Sequence, residues 1–407
     1  MVSQRFFVLA ALAFLLSVVP ACNSSGPNEP NRGVTIEKVS GDKISAVFGT
    51  GITPTVRVKR DGEPEAGVNV KFSVVSGGGT VANWEVRTDE NGVASTLWLL
   101  GATTGNQVLR ASLAGESAYF TATAAAPQVG TSYFGRNNYV EYIPGELPII
   151  LSSPHDGPLT PSEIPDRTWG TIGRDLNTMD LTRRIASALQ RLTGKRPYVA
   201  INHLRRIKLD PNREIVEAAQ GSRYSEFAWH QYHTWIDMAR DEITKKYGTG
   251  LLLDIHGHSH EIKRVEVGYM LNSSDLNRSD SQLDATQYIT KSSIRHLGTT
   301  SPLRFSQLVR GDDSLGQIMV RNGLRAIPSK AEPRPENDPF LSSGYTLQRH
   351  GRDSGTFNAI MLEHDSEVRS SATSREAYAN ALAKSVVEFV AKHMNIDMTQ
   401  LEPAGVP

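Results

Sequence analysis

Asp254, His256, His258 and His260 alternate with other residues directly after the apolar run Leu251-Leu252-Leu253. A carboxylate and three imidazoles at the end of such a run can bind a transition metal, because imidazole nitrogen is the commonest protein ligand for these ions. Two further apolar runs end in comparable words. Ile149-Ile150-Leu151 leads through Ser152-Ser153-Pro154 into His155-Asp156-Gly157, and Ile360-Met361-Leu362 leads into Glu363-His364-Asp365. A His, a second His and a Glu converging from separate strands would give a catalytic zinc site: few protein ligands, an open position for water, and a carboxylate base nearby. The only cysteine, Cys22, rules out an internal disulfide or a thiolate site, so His, Asp or Glu must hold any ion.

Ligands in open α/β sheets bind beyond the carboxyl ends of the strands, so these words require a sheet behind them. Strands are expected at 147–151, with Pro148 near the start, at 198–201, at 251–255 and at 359–363. Between them lie helical patterns. Leu181, Ile185, Ala188, Leu189 and Leu192 share one face of a helix over 180–192. A long helix over 225–247 carries a broad aromatic face, read as core, and a helix over 376–394 closes the chain. The polar stretch 272–339 has no clear period and reads as insertions walling a cleft. Alternating strands and helices predict a mostly parallel or mixed sheet between helical layers.

The rest of the chain is of other kinds. At 407 residues it exceeds one ordinary core, so two or more domains are expected. Lys+Arg and Asp+Glu both number 43, and without a basic stripe nucleic acid is excluded as the main partner. Arg5 precedes an apolar run from Phe6 to Val19, suited to a signal segment and too short for a comfortable membrane span. Val19-Pro20-Ala21-Cys22 resembles a bacterial lipoprotein processing box, which implies removal of residues 1–21 and lipidation of Cys22. Asn23, where a retention signal would prefer Asp, points to the outer membrane or cell surface. Residues 22–32 read as a flexible tether rich in Ser, Asn, Gly and Pro. Residues 33–125 alternate with period 2 between turn signals such as Asp61-Gly62 and Asn91-Gly92, the pattern of a β-sandwich. Their words Gly67-Val68-x-Val70-x-Phe72, Gly77-Gly78-Gly79 and Phe120-x-Ala122-Thr123-Ala124 resemble the bacterial immunoglobulin-like repeats of surface adhesins. That resemblance implies a spacer or an adhesive module with a surface ligand. Residues 126–141 read as a linker, 142–398 as the α/β domain and 399–407 as a tail.

From about Tyr142 to Met394 the chain resembles the N-formylglutamate amidohydrolase family, relatives of the zinc carboxypeptidases and aspartoacylases. The words that carry it are Ser153-Pro154-His155-Asp156-Gly157, Arg206-Ile207-Lys208-Leu209-Asp210-Pro211-Asn212-Arg213, Asp254-Ile255-His256-Gly257-His258, and Leu362-Glu363 with Arg369. The resemblance implies a zinc-carboxypeptidase-like fold holding one Zn²⁺ per chain on His155 and His256. The wider superfamily places a Glu three residues after the first His, but Pro158 stands there and cannot ligate. Asp175, just ahead of a helix, is the expected replacement, with Glu163 as the alternative. Asp254 is expected to orient a ligating imidazole from behind. Glu363 is expected to act as general base on a metal-activated water and then to protonate the leaving amine. Arg206 would stabilise the oxyanion, and Asn212 and Arg213 would hold a substrate carboxylate. The run Gly344-Tyr345-Thr346-Leu347-Gln348-Arg349-His350-Gly351 resembles a substrate-side loop, which puts Tyr345, Arg349 and His350 on the pocket wall. His258 and His260 are read as bystanders.

The expected activity is therefore cleavage of a C–N bond in an N-acyl amino acid or small peptide with a free carboxylate, outside the cytoplasm. N-formylglutamate itself belongs to cytoplasmic histidine breakdown, which a surface-anchored enzyme would rarely meet. A carboxypeptidase-type metallopeptidase uses the same residues in the same roles. A surface binding lipoprotein with a degenerate hydrolase domain is the reading from another class, and Pro158 favours it.

Overall fold

Alternation of apolar and polar residues builds the amino-terminal part of the chain as three small sheets of short strands around one core. In the computed structural model, which describes residues 33–401, strand Glu116–Ala125 turns Ala118, Phe120, Ala122 and Ala124 inward and the residues between them outward. It pairs with Gly105–Leu113 and Ile44–Val47 in one layer. Val34–Ser40 and Val93–Ser95 flank Thr55–Arg60 in another. Val56, Val58, Phe72, Trp98, Leu109 and Phe120 fill the space between. The Asn91-Gly92 turn needs its glycine: Gly92 has φ +70°, and a Cβ there would lie 2.5 Å from the Val58 carbonyl oxygen. The signal segment, Cys22, the tether and residues 402–407 lie outside the described residues.

Among the described residues, the remainder of the chain is organised on one eight-stranded sheet. In chain order its strands are β1 (Tyr133–Phe134), β2 (Val140–Ile143), β3 (Ile149–Ser153), β4 (Tyr198–Asn202), β5 (Gly250–Gly257), β6 (Val265–Gly268), β7 (Ala326–Ile327) and β8 (Phe357–His364). In space they run β1-β2-β4-β3-β5-β8-β6-β7. The central four, β4, β3, β5 and β8, are parallel, and β2 and β6 flank them antiparallel. Strands buried on both faces read as continuous apolar runs, as these do. One face carries Leu151, Leu253, Ile255 and Leu362 against Leu181, Ile185 and Leu189 of α1 (Thr178–Thr193) and Leu382, Val386 and Phe389 of α3 (Ala372–Met394). The other carries Ile150, Leu252, Ala359 and Met361 against Tyr232, Trp235, Ile236 and Ile243 of α2 (Arg223–Tyr247). Each fully buried Leu, Ile, Val, Phe or Met side chain among them contributes roughly 1.5–3 kcal/mol.

Several boundaries differ from the sequence reading. Pro148 has no N–H to give a ladder, so β3 begins after it, at Ile149. β5 runs on through its polar word to Gly257, so His256 lies within the strand rather than beyond it, and β8 runs one residue past Glu363 to His364. Arg206-Ile207-Lys208 forms a turn. The sheet starts at Tyr133, inside the stretch read as linker. The stretch 272–339 is not irregular: it holds a succession of short helices, from Ser273–Leu276 to Leu315–Arg321. Leu276, Phe305, Leu308, Leu315 and Ile318 from these helices enter the same core as α1 and α3.

The β-domain sits directly on α2. Leu97 and Leu99 share a buried cluster with Phe227, and Gln231 Nε2 donates to the Gly49 carbonyl at 3.2 Å. A Cβ on Gly49 would lie 2.4 Å from the Trp235 ring, so the close approach depends on that glycine.

Candidate metal centre

The parallel register between β5 and β8 sets His256 opposite Glu363. Both belong to the face that packs on α2, because Ile255 and Leu362 face the opposite core. His155 follows the end of β3 at once. Asp175 is held by the turn into α1: its N–H donates to the His155 carbonyl at 3.3 Å, and its own carbonyl accepts from the Thr178 hydroxyl at 2.8 Å.

The three side chains meet. Asp175 Oδ2 lies 3.2 Å from His155 Nδ1 and 3.2 Å from His256 Nδ1. One ligand atom from each residue falls within 4.8 Å of the others. Each ring has a second carboxylate on its far nitrogen: Asp210 Oδ1 is 2.7 Å from His155 Nε2, and Asp254 Oδ2 is 2.8 Å from His256 Nε2. Those carboxylates are themselves fixed, Asp254 by the Ser152 hydroxyl at 2.6 Å and Asp210 by Arg206 Nε at 2.8 Å. A carboxylate behind each imidazole sets the Nε2–H tautomer and turns the Nδ1 lone pair toward the common point.

This donor set fits a divalent ion. Ligand atoms about 2.0–2.1 Å from a tetrahedral zinc lie about 3.3 Å from one another, close to the two 3.2 Å edges here. Burial alone would lower the proton affinity of His256, but Asp254 and Asp175 raise it well above the ordinary value. Burial would raise Asp175 and Asp210, yet His155 on both, with His256 on Asp175 and Arg206 on Asp210, holds them well below the usual carboxylate range. A divalent ion held by both Nδ1 atoms and Asp175 Oδ2 would need the ligating nitrogens unprotonated, so its affinity would fall at low pH.

A cavity of about 170 Å³ opens over this point, and Glu363, Arg206, Asn212 and Arg213 line it. Glu363 is 6% exposed, and its Oε2 has no hydrogen-bond partner. Burial pushes its carboxyl up to about 8; His256 opposes the rise, and Asp175 and Glu266 reinforce it. Arg206 and Arg213 are anchored by their inner nitrogens, to Asp210 and to Glu217 respectively, which leaves Nη2 of each without a protein partner. Asn212 Oδ1 accepts from the Thr346 N–H at 2.9 Å, which locks the amide at the cavity wall.

Other expected residues lie elsewhere. Glu163, the alternative third ligand, pairs with Arg136, Asn137 and Tyr139 and is not among the carboxylates gathered with His155 and His256. Tyr345 lines a second cavity that adjoins the first. His350 is fully buried and bonds His233 at 2.8 Å, and Arg349 pairs with Asp237 at 2.6 Å. Neither lines either cavity, so the pocket-wall reading is corrected for both. His258 spends both ring nitrogens inside its own loop, on the Arg264 carbonyl and the His260 N–H. Sequence reasoning missed Asp210 as a partner of His155. The signal was a carboxylate between two basic residues and an Asn-Arg pair, which reads equally well as a surface salt bridge.

No protein-family model matches this sequence, and no curated protein matches it. Among solved structures, the D00-D0 domain of intimin is 27% identical over 24% of this chain and 48% of its own, with a TM-score of 0.20. An adhesin of Yersinia pseudotuberculosis is 17% identical over 28% of this chain and 41% of its own, with a TM-score of 0.20. A gene product from Agrobacterium tumefaciens is 11% identical over 63% of this chain and 92% of its own, with a TM-score of 0.33. The chain spans about half the length of the intimin fragments it matches. The chain as a whole joins a β-domain of short strands to an α/β domain built on the eight-stranded sheet.

Proposed function

We propose that this chain is a zinc-dependent amidohydrolase, similar to the N-formylglutamate amidohydrolases and built on a zinc-carboxypeptidase-like domain. It cleaves the C–N bond of an N-acyl amino acid or small peptide bearing a free carboxylate. The observation that carries this reading is the inward convergence of His155 Nδ1, His256 Nδ1 and Asp175 Oδ2 beside a buried carboxyl, Glu363, that has no partner of its own.

A divalent ion on those three ligands supplies Lewis acidity, lowering the pKa of water from about 15.7 to about 7 and polarising a carbonyl. Asp210 and Asp254 keep the two imidazoles in the Nε2–H tautomer. Glu363 takes the proton of the attacking water on Oε2 and delivers it to the departing nitrogen, which must leave as a neutral amine. Its high proton affinity suits the second half of that task. Arg206 turns its free Nη2 to the oxyanion. Arg213 gives its free Nη2 to the substrate carboxylate, and Asn212 fixes the other side of the wall.

The protein acts outside the cytoplasm, lipid-anchored through Cys22 to the outer membrane or cell surface, with the β-domain as its surface module. The sequence Arg5 to Cys22 supports this reading, and no helix of the described residues is long and apolar enough to cross a membrane. The test of activity is a hydrolysis screen over N-acyl amino acids and short peptides with Glu363→Gln as the blank. Turnover above that blank supports the reading; equal rates for both proteins across the screen reject it.

A further inference from the structure

The second cavity, of about 460 Å³, shares Asn212, Arg213 and Ser343 with the inner one, so the two are continuous past the Arg213 guanidinium. Its apolar lining is left open: Trp169 is 51% exposed and Val216 is 72% exposed, with Met270 and Tyr345 beside them and Gln348, Ser343 and Gly344 between. Large apolar side chains gathered at one concave mouth mark a recognition surface rather than ordinary exposure. The wall is also firmly built. Gln220 holds the Trp169 turn from both sides, accepting from the Thr168 N–H at 2.8 Å and donating to the Trp169 carbonyl at 2.9 Å. Tyr345 is backed by Trp229, ring to ring at 5.5 Å, and Trp229 Nε1 donates to the Arg213 carbonyl at 3.0 Å. The charged groups on this rim besides Arg213 are Glu214 and Glu217, and Glu217 is already engaged with Arg213 at 3.2 Å.

Resting on the amidohydrolase reading, we infer that this cavity is a subsite for an apolar or aromatic side chain on the amino acid that bears the free carboxylate. With that carboxylate on Arg213, the side chain extends over Trp169, Val216 and Tyr345. A second carboxylate, as on a glutamyl side chain, would meet Glu214 and Glu217 with no free cation to receive it. The substrate class is therefore an N-acyl aromatic or branched aliphatic amino acid, or a peptide ending in one, and not an N-acyl dicarboxylic amino acid.

The test is calorimetric titration of the full, zinc-loaded chain carrying Glu363→Gln with N-acetyl-phenylalanine and N-acetyl-glutamate. The aromatic compound is expected to bind on the order of ten-fold or more tightly. Adding Trp169→Ala should erase that preference, and Trp169→Phe should keep it. Equal or reversed affinities, or a preference untouched by Trp169→Ala, overturn the subsite. Binding is read without turnover, so the two claims fail separately. An aromatic preference in a protein that hydrolyses nothing would sink only the hydrolase reading, and hydrolysis without side-chain preference would sink only the subsite.

Discussion

His256 and Glu363 are register partners on adjacent parallel strands, so an imidazole and a carboxyl leave the same face of the sheet side by side. Asp254 lies two residues before His256 on that face and holds Nε2 from behind at 2.8 Å. Strand periodicity thus does the positioning: i and i+2 share a face, and the neighbouring strand adds the third group.

Glu363→Gln is expected to lower kcat by about 10²–10⁴-fold, the usual contribution of a positioned proton carrier. Bound metal and thermal stability should remain, because a neutral amide replaces a buried carboxyl that has no partner on Oε2. Rates on the best substrate of the screen, together with metal analysis, check this; an unchanged kcat removes Glu363 from the reaction.

Asp210→Asn and Asp254→Asn should each weaken zinc affinity by about 10–100-fold while leaving all three ligands present. Competition with a chromophoric chelator measures it. Wild-type affinity in both variants would show that the carboxylates behind the rings only complete local ion pairs.

Arg213→Ala should raise KM for substrates with a free carboxylate and leave their amide-blocked counterparts unaffected. The guanidinium is anchored through Nε to Glu217 at 3.2 Å and keeps Nη2 for the ligand. Steady-state kinetics on paired blocked and free substrates decide the matter, and an unchanged KM on both discards the clamp.

Glu141 gives a stability prediction apart from the site. Burial alone would raise its carboxyl, but hydrogen bonds from His203 and Arg183 outweigh it and pull the pKa from 4.5 down to about 2. Between those values the unfolded chain binds more protons than the folded one, so stability rises with pH. The contribution is complete above about 4.5 and is lost as pH falls toward 2. Glu141→Gln should therefore lower stability at neutral pH by on the order of 1–3 kcal/mol, and the gap to wild type should narrow as pH falls below about 4.5 and vanish only near 2. Urea midpoints across that range check it, and a gap independent of pH contradicts it.

What could be read in the sequence followed the length of the periodic segments. α1, α2 and α3 each span several turns, and the parallel strands carry apolar runs ending in polar words, so both have a visible period. The short helices between 272 and 339 have four to seven residues each, too few to repeat a 3.6-residue pattern. β1 and β2, with two and four residues, are too short to alternate visibly. His155 and His256 stood out because imidazoles after apolar runs are local features, whereas Asp175 entered only as the replacement for the ligand that the resemblance places at Pro158. Asp210 pairs with a histidine 55 positions away, and no local pattern reports such a contact. His350 reads like a pocket residue beside Tyr345 and Arg349, yet the backbone there turns it inward against His233, a matter of tertiary packing.

The most direct measurement is the metal content of the purified full chain at neutral pH. Near one zinc per chain is expected, with loss of that zinc in His155→Ala, Asp175→Ala and His256→Ala variants that keep the wild-type circular dichroism spectrum. A folded wild-type protein that takes up no divalent ion, or variants that retain it, would contradict the account.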